Sequence, residues 1–358
     1  MAYGTHGVLD QLLLIRNQTA AEYGEERLAE DFQNWLAAQN LLIEQMTADL
    51  VEFTEVRLTT YGTGARMEMI KADEYTRADA QKAVPTPTDI GFPLEPFQIS
   101  LQWTRKFLQV STVADLATAA NAVAEADARN VRREIQRALF NPVNNLTYKD
   151  RMIDNATLPI RRLYNADGSP IPEDEFSNTF NGATHTHYLG TAALVAADVE
   201  AATATVIEHG VSGQVRIYIN RAQEAAITGF ANFTAYTQPL IMPGGGSTAN
   251  QAVGGPVEPF SLYNRAIGVW NGAIEVWVKP WIPATYLLVI DIDPIRKVLR
   301  FRRRLATGNG ELQLVAQDER YPLRADTSER EFGISVWGRD QAAVLRTNNA
   351  TYAAPVFV

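Results

Sequence analysis

The sequence predicts an α+β fold, on three observations. Helical apolar periodicity runs through 8–50 and 113–140. A β pattern runs from Ala266 to Asp291, with Asn271-Gly272 set between alternating apolar residues, the strongest short hairpin signal. The C-terminal part then yields further strand-like runs (ELQLVA, EFGISVWG, AAVLRT).

Taken in order, Leu28, Phe32, Trp35, Leu36, Ile43, Met46 and Leu50 form an approximate apolar stripe, with Gly24 a candidate break between two helices. Residues 51–60 turn β-branched. The stretch 61–91 is charged, carries Gly62, Gly64, Pro85 and Pro87, and cannot build a core of its own. It reads as a long projecting loop between two strands, the second spanning Phe97–Val110; loops of that length usually bind something. Thr112 caps a helix from Val113 to Phe140, with Asp115 in its first turn and Asn141-Pro142 ending it. Twenty-eight residues at ~1.5 Å each make a beam of about 42 Å. Residues 141–182 are rich in turn signals. Helix is expected at 190–209, a strand at Val215–Asn220, helix at 221–228, and a Gly/Pro-rich loop at 238–259.

Of the 358 residues, 46% are apolar and 20% charged, ample for a core. The absence of cysteine excludes disulfides and thiolate zinc sites. No apolar run approaches the ~20 residues that span a bilayer, and Met1 is followed by polar residues, so a soluble chain without a secretion signal is expected. The net charge of −9 argues against a dedicated nucleic-acid binder. Residues 1–56 hold ten acids and two bases, a net −8, whereas 295–304 holds six bases (Arg296, Lys297, Arg300, Arg302, Arg303, Arg304) and no acid. Of the 32 bases 26 are Arg, the residue suited to bidentate, partly buried pairs.

Motifs of catalysis are missing. There is no Walker loop, GxSxG elbow or HExxH, and Gly244-Gly245-Gly246-Ser247 precedes neither a helical pattern nor a Lys. His185 and His187, at i and i+2 on a strand, point the same way, with His209 a possible third ligand. The preferred account makes them polar residues of hydrogen-bonded turn structure. Asp291 and Asp293 are read as a strand end, and Trp270, Trp277 and Trp281 as core.

The order of elements resembles the major capsid protein of tailed double-stranded DNA bacteriophages, the Hong Kong 97-type fold. Gly91-Phe92-Pro93-Leu94 followed by Gln102-Trp103-Thr104 resembles the strand that descends from that family's extended loop to its spine helix. His185-Thr186-His187-Tyr188, with the following helix and Glu208-His209-Gly210, resembles the start of the axial domain in some actinobacterial-phage members. Phe332 to Leu345 resembles the closing strands.

The resemblance implies an N-terminal helical arm (1–56), an extended hairpin loop (57–110), a peripheral domain (111–180) with the spine helix at 113–140, an axial domain (181–290) and a return to the peripheral domain (291–358). It implies a structural subunit, not an enzyme, without cofactor, catalytic residue or metal ligand. Such a subunit self-assembles as hexamers and pentamers into an icosahedral head. It is found in the virion, and in the bacterial host cytoplasm during assembly. The implied partners are further copies of the chain, a portal, decoration proteins, and packaged double-stranded DNA held without sequence-specific contacts; no membrane is involved. With about 56 residues ahead of the loop, a separate scaffolding protein, or assembly without one, is expected. The charge clusters are expected to meet between subunits, Glu25, Glu26, Glu30 and Asp31 of one arm against Arg300, Arg302, Arg303 and Arg304 of another chain. Lys71 or Lys82 could be joined covalently to Asn348 or Asn349 of a neighbour, but with six Lys in the chain no such cross-link is expected. The rival readings are an encapsulin-like shell holding cargo enzymes and a metal-dependent enzyme built around His185 and His187.

Overall fold

The computed structural model describes residues 18–63, 69, 71, 86–173, 179–210, 213–236, 265–293, 296–320 and 323–357. Its helices are α1 (Ala20–Tyr23), α2 (Glu25–Thr47), α3 (Arg105–Val110), α4 (Val113–Phe140), α5 (Ala196–Ile207) and α6 (Arg221–Thr228). Its strands are β1 (Val51–Thr54), β2 (Leu58–Thr63), β3 (Thr86–Gly91), β4 (Glu95–Thr104), β5 (Asn145–Lys149), β6 (Thr157–Ile160), β7 (Tyr188–Gly190), β8 (Gln214–Ile219), β9 (Phe233–Ala235), β10 (Arg265–Trp270), β11 (Ile274–Val278), β12 (Tyr286–Ile292), β13 (Leu299–Arg302), β14 (Gln313–Arg320), β15 (Leu323–Val336) and β16 (Ala342–Arg346).

Helix α4 begins as its sequence dictates. The Thr112 hydroxyl accepts from Asp115 N–H at 3.3 Å, and the Asp115 carboxylate accepts from Thr112 N–H at 3.0 Å. The Thr112 backbone N–H, then its hydroxyl, hold the Asp115 carboxyl below its ordinary range. Gly24, at φ +100°, separates α1 from α2 in a backbone region that a side chain would resist. The expected strand at 97–110 stops at Thr104, whose hydroxyl accepts from Phe107 N–H at 3.1 Å and caps α3. The expected helix at 190–209 is shorter and starts at Ala196. The Gly/Pro-rich loop at 238–259 and most of 64–85 lie outside the described residues.

Seven strands form one sheet in the order β7-β16-β12-β8-β11-β10-β9. Its central strands are buried on both faces, which is why TYLLVIDI reads as a continuous apolar run. The period of two divides them between two cores. Tyr218, Leu288, Ile290, Ala342 and Val344 face the C-terminal half of α4 (Val131, Ile135, Leu139, Phe140). Ile217, Ile219, Leu287, Val289, Ala343 and Leu345 face α5 and α6 (Val199, Ala202, Val206, Ile227). Asn271 and Gly272, at φ +49° and +73°, make the expected hairpin turn, and Trp270 and Trp277 are core.

The second sheet joins distant parts of the chain. β1 pairs with β13 in parallel, β13 with β15 antiparallel, and β15 with both β14 and β4. The β15–β4 ladder runs for ten residues, from Leu323↔Thr104 to Phe332↔Glu95. The expected closing strands 332–345 are therefore split, β15 in this sheet and β16 in the seven-stranded one. The two smaller pairs, β2–β3 and β5–β6, meet where Gly91 lies so close that a Cβ would sit 2.7 Å from Leu158 Cβ.

A buried fork locks the helices to this sheet. Arg330 Nε and Nη2 donate to the two Asp127 oxygens of α4 at 2.8 and 2.7 Å. Nη2 also donates to Asn40 Oδ1 of α2 at 2.6 Å, and Nη1 to the Gly310 carbonyl. Arg330 is 3% exposed and Asp127 8%. Removing one member of a buried pair strands the other charge, at a cost of about 3–5 kcal/mol. Asp127→Ala is therefore expected to lower stability by about that amount, whereas Asp127→Leu with Arg330→Met should cost less than the single change. Urea unfolding of the three proteins checks the order.

Candidate functional site

Strand β13 sorts the basic run by alternation. Leu299 and Phe301 point into the core, at 0% and 1% exposed. Arg300 and Arg302 point the other way, toward the base of the β2–β3 hairpin. There Arg300 Nε donates to Glu52 at 3.1 Å and Nη1 to the Thr59 hydroxyl at 3.2 Å, and its guanidinium lies 4.0 Å from the Trp337 ring centroid. Arg302 is 2% exposed and pairs at 2.8 Å with Asp150, which is fully buried; its other nitrogen donates to the Phe92 carbonyl at 2.8 Å. Arg303 pairs with Glu44 at 3.2 Å and lies over Phe53. Arg304 pairs with the buried Glu331 at 3.1 Å. Arg296 donates to Asp340 at 2.7 Å and to the Tyr61 hydroxyl at 3.1 Å.

The acidic segment and the basic run do meet, and they do so inside one chain, through Glu44 and Glu52. Glu55 accepts from the Leu305 N–H at 2.8 Å. The acids expected to bridge subunits stand elsewhere. Glu30 and Asp31 are exposed near the start of α2, fourteen and thirteen residues before Glu44, or about 20 Å along the helix. Asp31 accepts from the Tyr23 hydroxyl at 2.6 Å. Glu25 and Glu26 lie in the first turn of the same helix. Arg302, expected to reach a neighbour, is enclosed because the β2–β3 base and the β5–β6 turn close over it.

The hairpin base is sealed onto the protein by Tyr61, Ile90 and Phe92 against Trp337, with Tyr61 edge-on to the indole at 5.7 Å. Arg57 adds an exposed pair with Asp154 at 2.7 Å.

A second cluster lies at the β7–β16 edge of the seven-stranded sheet. His185, His187 and His209 converge, with Nε2–Nε2 distances of 3.0 Å (185–187), 2.9 Å (185–209) and 3.1 Å (187–209). His187 is fully buried and its Nδ1 lies 2.7 Å from the Ala342 carbonyl. Burial, then the neighbouring His209, holds the His187 imidazole well below its ordinary pKa; burial lowers His185 too. Glu208 Oε1 is 3.8 Å from His185 Nε2, and burial raises its carboxyl. The turn expected for His185 and His187 ends at His185, whose N–H donates to Asn181 O at 2.9 Å. Beyond it the backbone forms an isolated antiparallel bridge, Asn165 with Thr186, in which His185 O accepts from Ala166 N–H and His187 N–H donates to Tyr164 O. The convergence with His209 is the part that spacing alone did not decide.

No protein-family model and no curated protein matches the sequence. Among solved structures the chain is similar to a chain of Mycobacterium phage Patience, at 21% identity and a TM-score of 0.68, over 92% of this chain and 90% of that one. The fold is the Hong Kong 97-type capsid fold. The capsid of a native GTA particle is also similar, at 12% identity and a TM-score of 0.47, over 85% of this chain and 90% of that one. So is the holo-SrpI encapsulin complex from Synechococcus elongatus, at 12% identity and 0.45, over 87% and 90%.

In this Hong Kong 97-type chain the sequence reading missed the two most enclosed ion pairs among the described residues, Arg330–Asp127 and Arg302–Asp150. A signal existed for the first. Asp127 interrupts the apolar stripe of α4 between Val123, Ala124 and Val131, and an acid on a buried face calls for a buried cation.

The burial order predicts the mutational order. Arg302→Gln strands a fully buried carboxylate and is expected to cost about 3–5 kcal/mol. Arg304→Gln is expected to cost less, and Arg303→Gln, whose partner Glu44 is 44% exposed, at most about 1 kcal/mol. Thermal unfolding of the three single variants tests this; equal effects would contradict it.

Proposed function

We infer that the chain is the repeating subunit of a tailed phage head, self-assembling as hexamers and pentamers into an icosahedral shell around double-stranded DNA. The agreement in fold with the Patience chain, over nine-tenths of both chains, is the observation that carries this reading. On it, α2 belongs to an N-terminal arm, β2–β3 to the base of an extended loop, α4 to the spine, and the seven-stranded sheet to the axial region.

The surface of the single chain supports the same reading. Leu41, Leu42 and Met46 of α2 are 55%, 54% and 41% exposed, and Val110, the last residue of α3, is 67% exposed. Apolar side chains grouped on an arm are what a neighbouring copy covers, and repeated heterologous contacts close into rings and shells. Residues 64–85 carry too few apolar side chains for a core of their own. The net charge of −9 suits a wall that must not grip the nucleic acid it encloses. Among the described residues no helix is long and apolar enough to cross a membrane.

Electron microscopy of the expressed protein is expected to show closed icosahedral particles. Particles from infected cells should contain DNA and tail proteins; a single enzyme cargo would instead favour the encapsulin-like reading. Replacing residues 64–85 by a short Gly-Ser turn, which keeps the Thr63↔Thr86 end of the hairpin base, should leave a folded subunit that forms no closed shell. Normal particles from that variant would refute the loop's role. Denaturing gels of mature particles should show one band near 39.6 kDa, since Lys is scarce and no cross-link is expected; a ladder of higher bands would show otherwise.

A further inference from the structure

We propose that His185, His187 and His209 form a structural site for a divalent first-row transition ion, zinc being the natural occupant, which pins the end of α5 to the β7–β16 edge of the large sheet. The three Nε2 atoms form a nearly equilateral triangle with sides of 2.9–3.1 Å. Its centre is about 1.7 Å from each nitrogen, so an ion at the usual Zn–N distance of about 2.0–2.1 Å sits about 1.1 Å off the plane. The N–metal–N angles are then about 90–100°, and a small widening of the triangle carries them toward tetrahedral.

Without an ion the triangle is hard to satisfy. Each Nε2 offers along one in-plane direction either a lone pair or one hydrogen. The Ala342 carbonyl accepts only, so His187 Nδ1 carries a hydrogen at 2.7 Å from it. A neutral His187 then aims a bare Nε2 lone pair at the other two rings. That is the orientation a metal-bound histidine takes, its far nitrogen donating to a carbonyl. A hydrogen on one Nε2 points along one side of the triangle only, so hydrogen bonds among the three nitrogens cannot pair all three sides at once. A cation at the apex satisfies all three.

The surroundings are those of a built site. His187 is clamped on both sides, its N–H donating to Tyr164 O at 2.7 Å and its carbonyl accepting from Val344 N–H at 2.8 Å. His209 follows the C-terminal end of α5, where the carbonyl dipoles favour a cation, and Gly210 at φ +81° ends the turn. The Tyr164 ring packs beneath all three imidazoles, with centroids 5.5–6.0 Å away, and Phe180 packs on His185 and His209 at 5.2 and 4.4 Å. Glu208, 3.8 Å from His185 Nε2 and 39% exposed, is the carboxylate placed to take the fourth position. Imidazole donors without thiolate suit zinc, nickel or cobalt. With three histidines held by ladder and helix end, the ion acts as a staple. Nothing in this inference requires that the chain form a shell.

The test uses the full chain purified without a polyhistidine tag. Dialysis against zinc and then against buffer should leave about one zinc per chain by elemental analysis. Chelator should lower the unfolding midpoint, and zinc should restore it. His185→Gln and His209→Gln should each unfold where the chelated wild type does and gain nothing from zinc. Their zinc affinity should fall by more than the ~10–100-fold that loss of an outer-shell partner costs, while Glu208→Gln should fall less. If a variant fails to fold, cobalt titration of the wild type decides, since a histidine-bound ion gives visible ligand-field bands. Background zinc in the wild type, equal uptake by wild type and both histidine variants, or a cobalt spectrum indistinguishable from the free ion would each overturn the assignment.

Discussion

The fork of Arg330 onto Asp127 sets the register on which both ends of the chain depend. Arg330 lies within β15, the strand that β4, β13 and β14 all pair with. A slip of one residue in β15 would turn Arg330 to the opposite face, away from Asp127, and leave a buried carboxylate on α4 without a partner. The same guanidinium reaches Asn40, whose amide exchanges two hydrogen bonds with the Leu312 backbone at 2.9 and 3.2 Å. Helix α2, helix α4, the 310–312 turn and four strands are thus aligned by a single side chain. Such a pair adds little net stability over an apolar substitute, but it penalises every misaligned arrangement, and a sheet in which β15 pairs with β4 and β13 with β1, each across more than 200 residues of sequence, has many of those.

The other enclosed arginines follow the same logic. Arg302 satisfies the Phe92 carbonyl as well as Asp150, and Arg339 donates to the Arg162 carbonyl at 2.7 Å as well as to Asp167 at 2.9 Å. In each case one nitrogen meets a carboxylate and another meets the backbone of an irregular segment. Buried carbonyls outside helices and strands need donors, and the planar guanidinium supplies several in a fixed geometry where an ammonium would not. The excess of Arg over Lys is accounted for in part by this internal use.

The long elements were legible in the sequence because their signals are local. Thr112 with Asp115, Asn141-Pro142, and Asn271-Gly272 each carry their own geometry, and all three mark the boundaries they were expected to mark. Boundaries decided by competition were not legible. Val110 was read as the end of a strand because FQISLQWTRKFLQV is strand-like throughout, yet the Thr104 hydroxyl caps a helix inside it. Contacts across long sequence separations were the least legible. Nothing near Arg302 announces Asp150, and His209 is separated from His187 by a helix whose end had to be placed before the three rings could be seen to meet. The charge clusters were visible, but composition gives no distance, and it could not show that Glu44 and Glu52 reach the arginines from within the same chain.

This internal pairing changes what is left for contacts between copies. With Arg300, Arg302, Arg303 and Arg304 engaged at home, the exposed face of α2 offers Leu41, Leu42 and Met46 toward one end and Glu30 and Asp31 toward the other. On the shell reading, an arm of this kind is anchored by apolar burial, and its acids set orientation and discourage wrong neighbours. The two jobs fall to different residues for a physical reason. A buried ion pair tolerates little displacement, which suits the fixed register inside a subunit. An apolar patch tolerates changes of angle, which on the shell reading suits a contact repeated between copies at more than one angle.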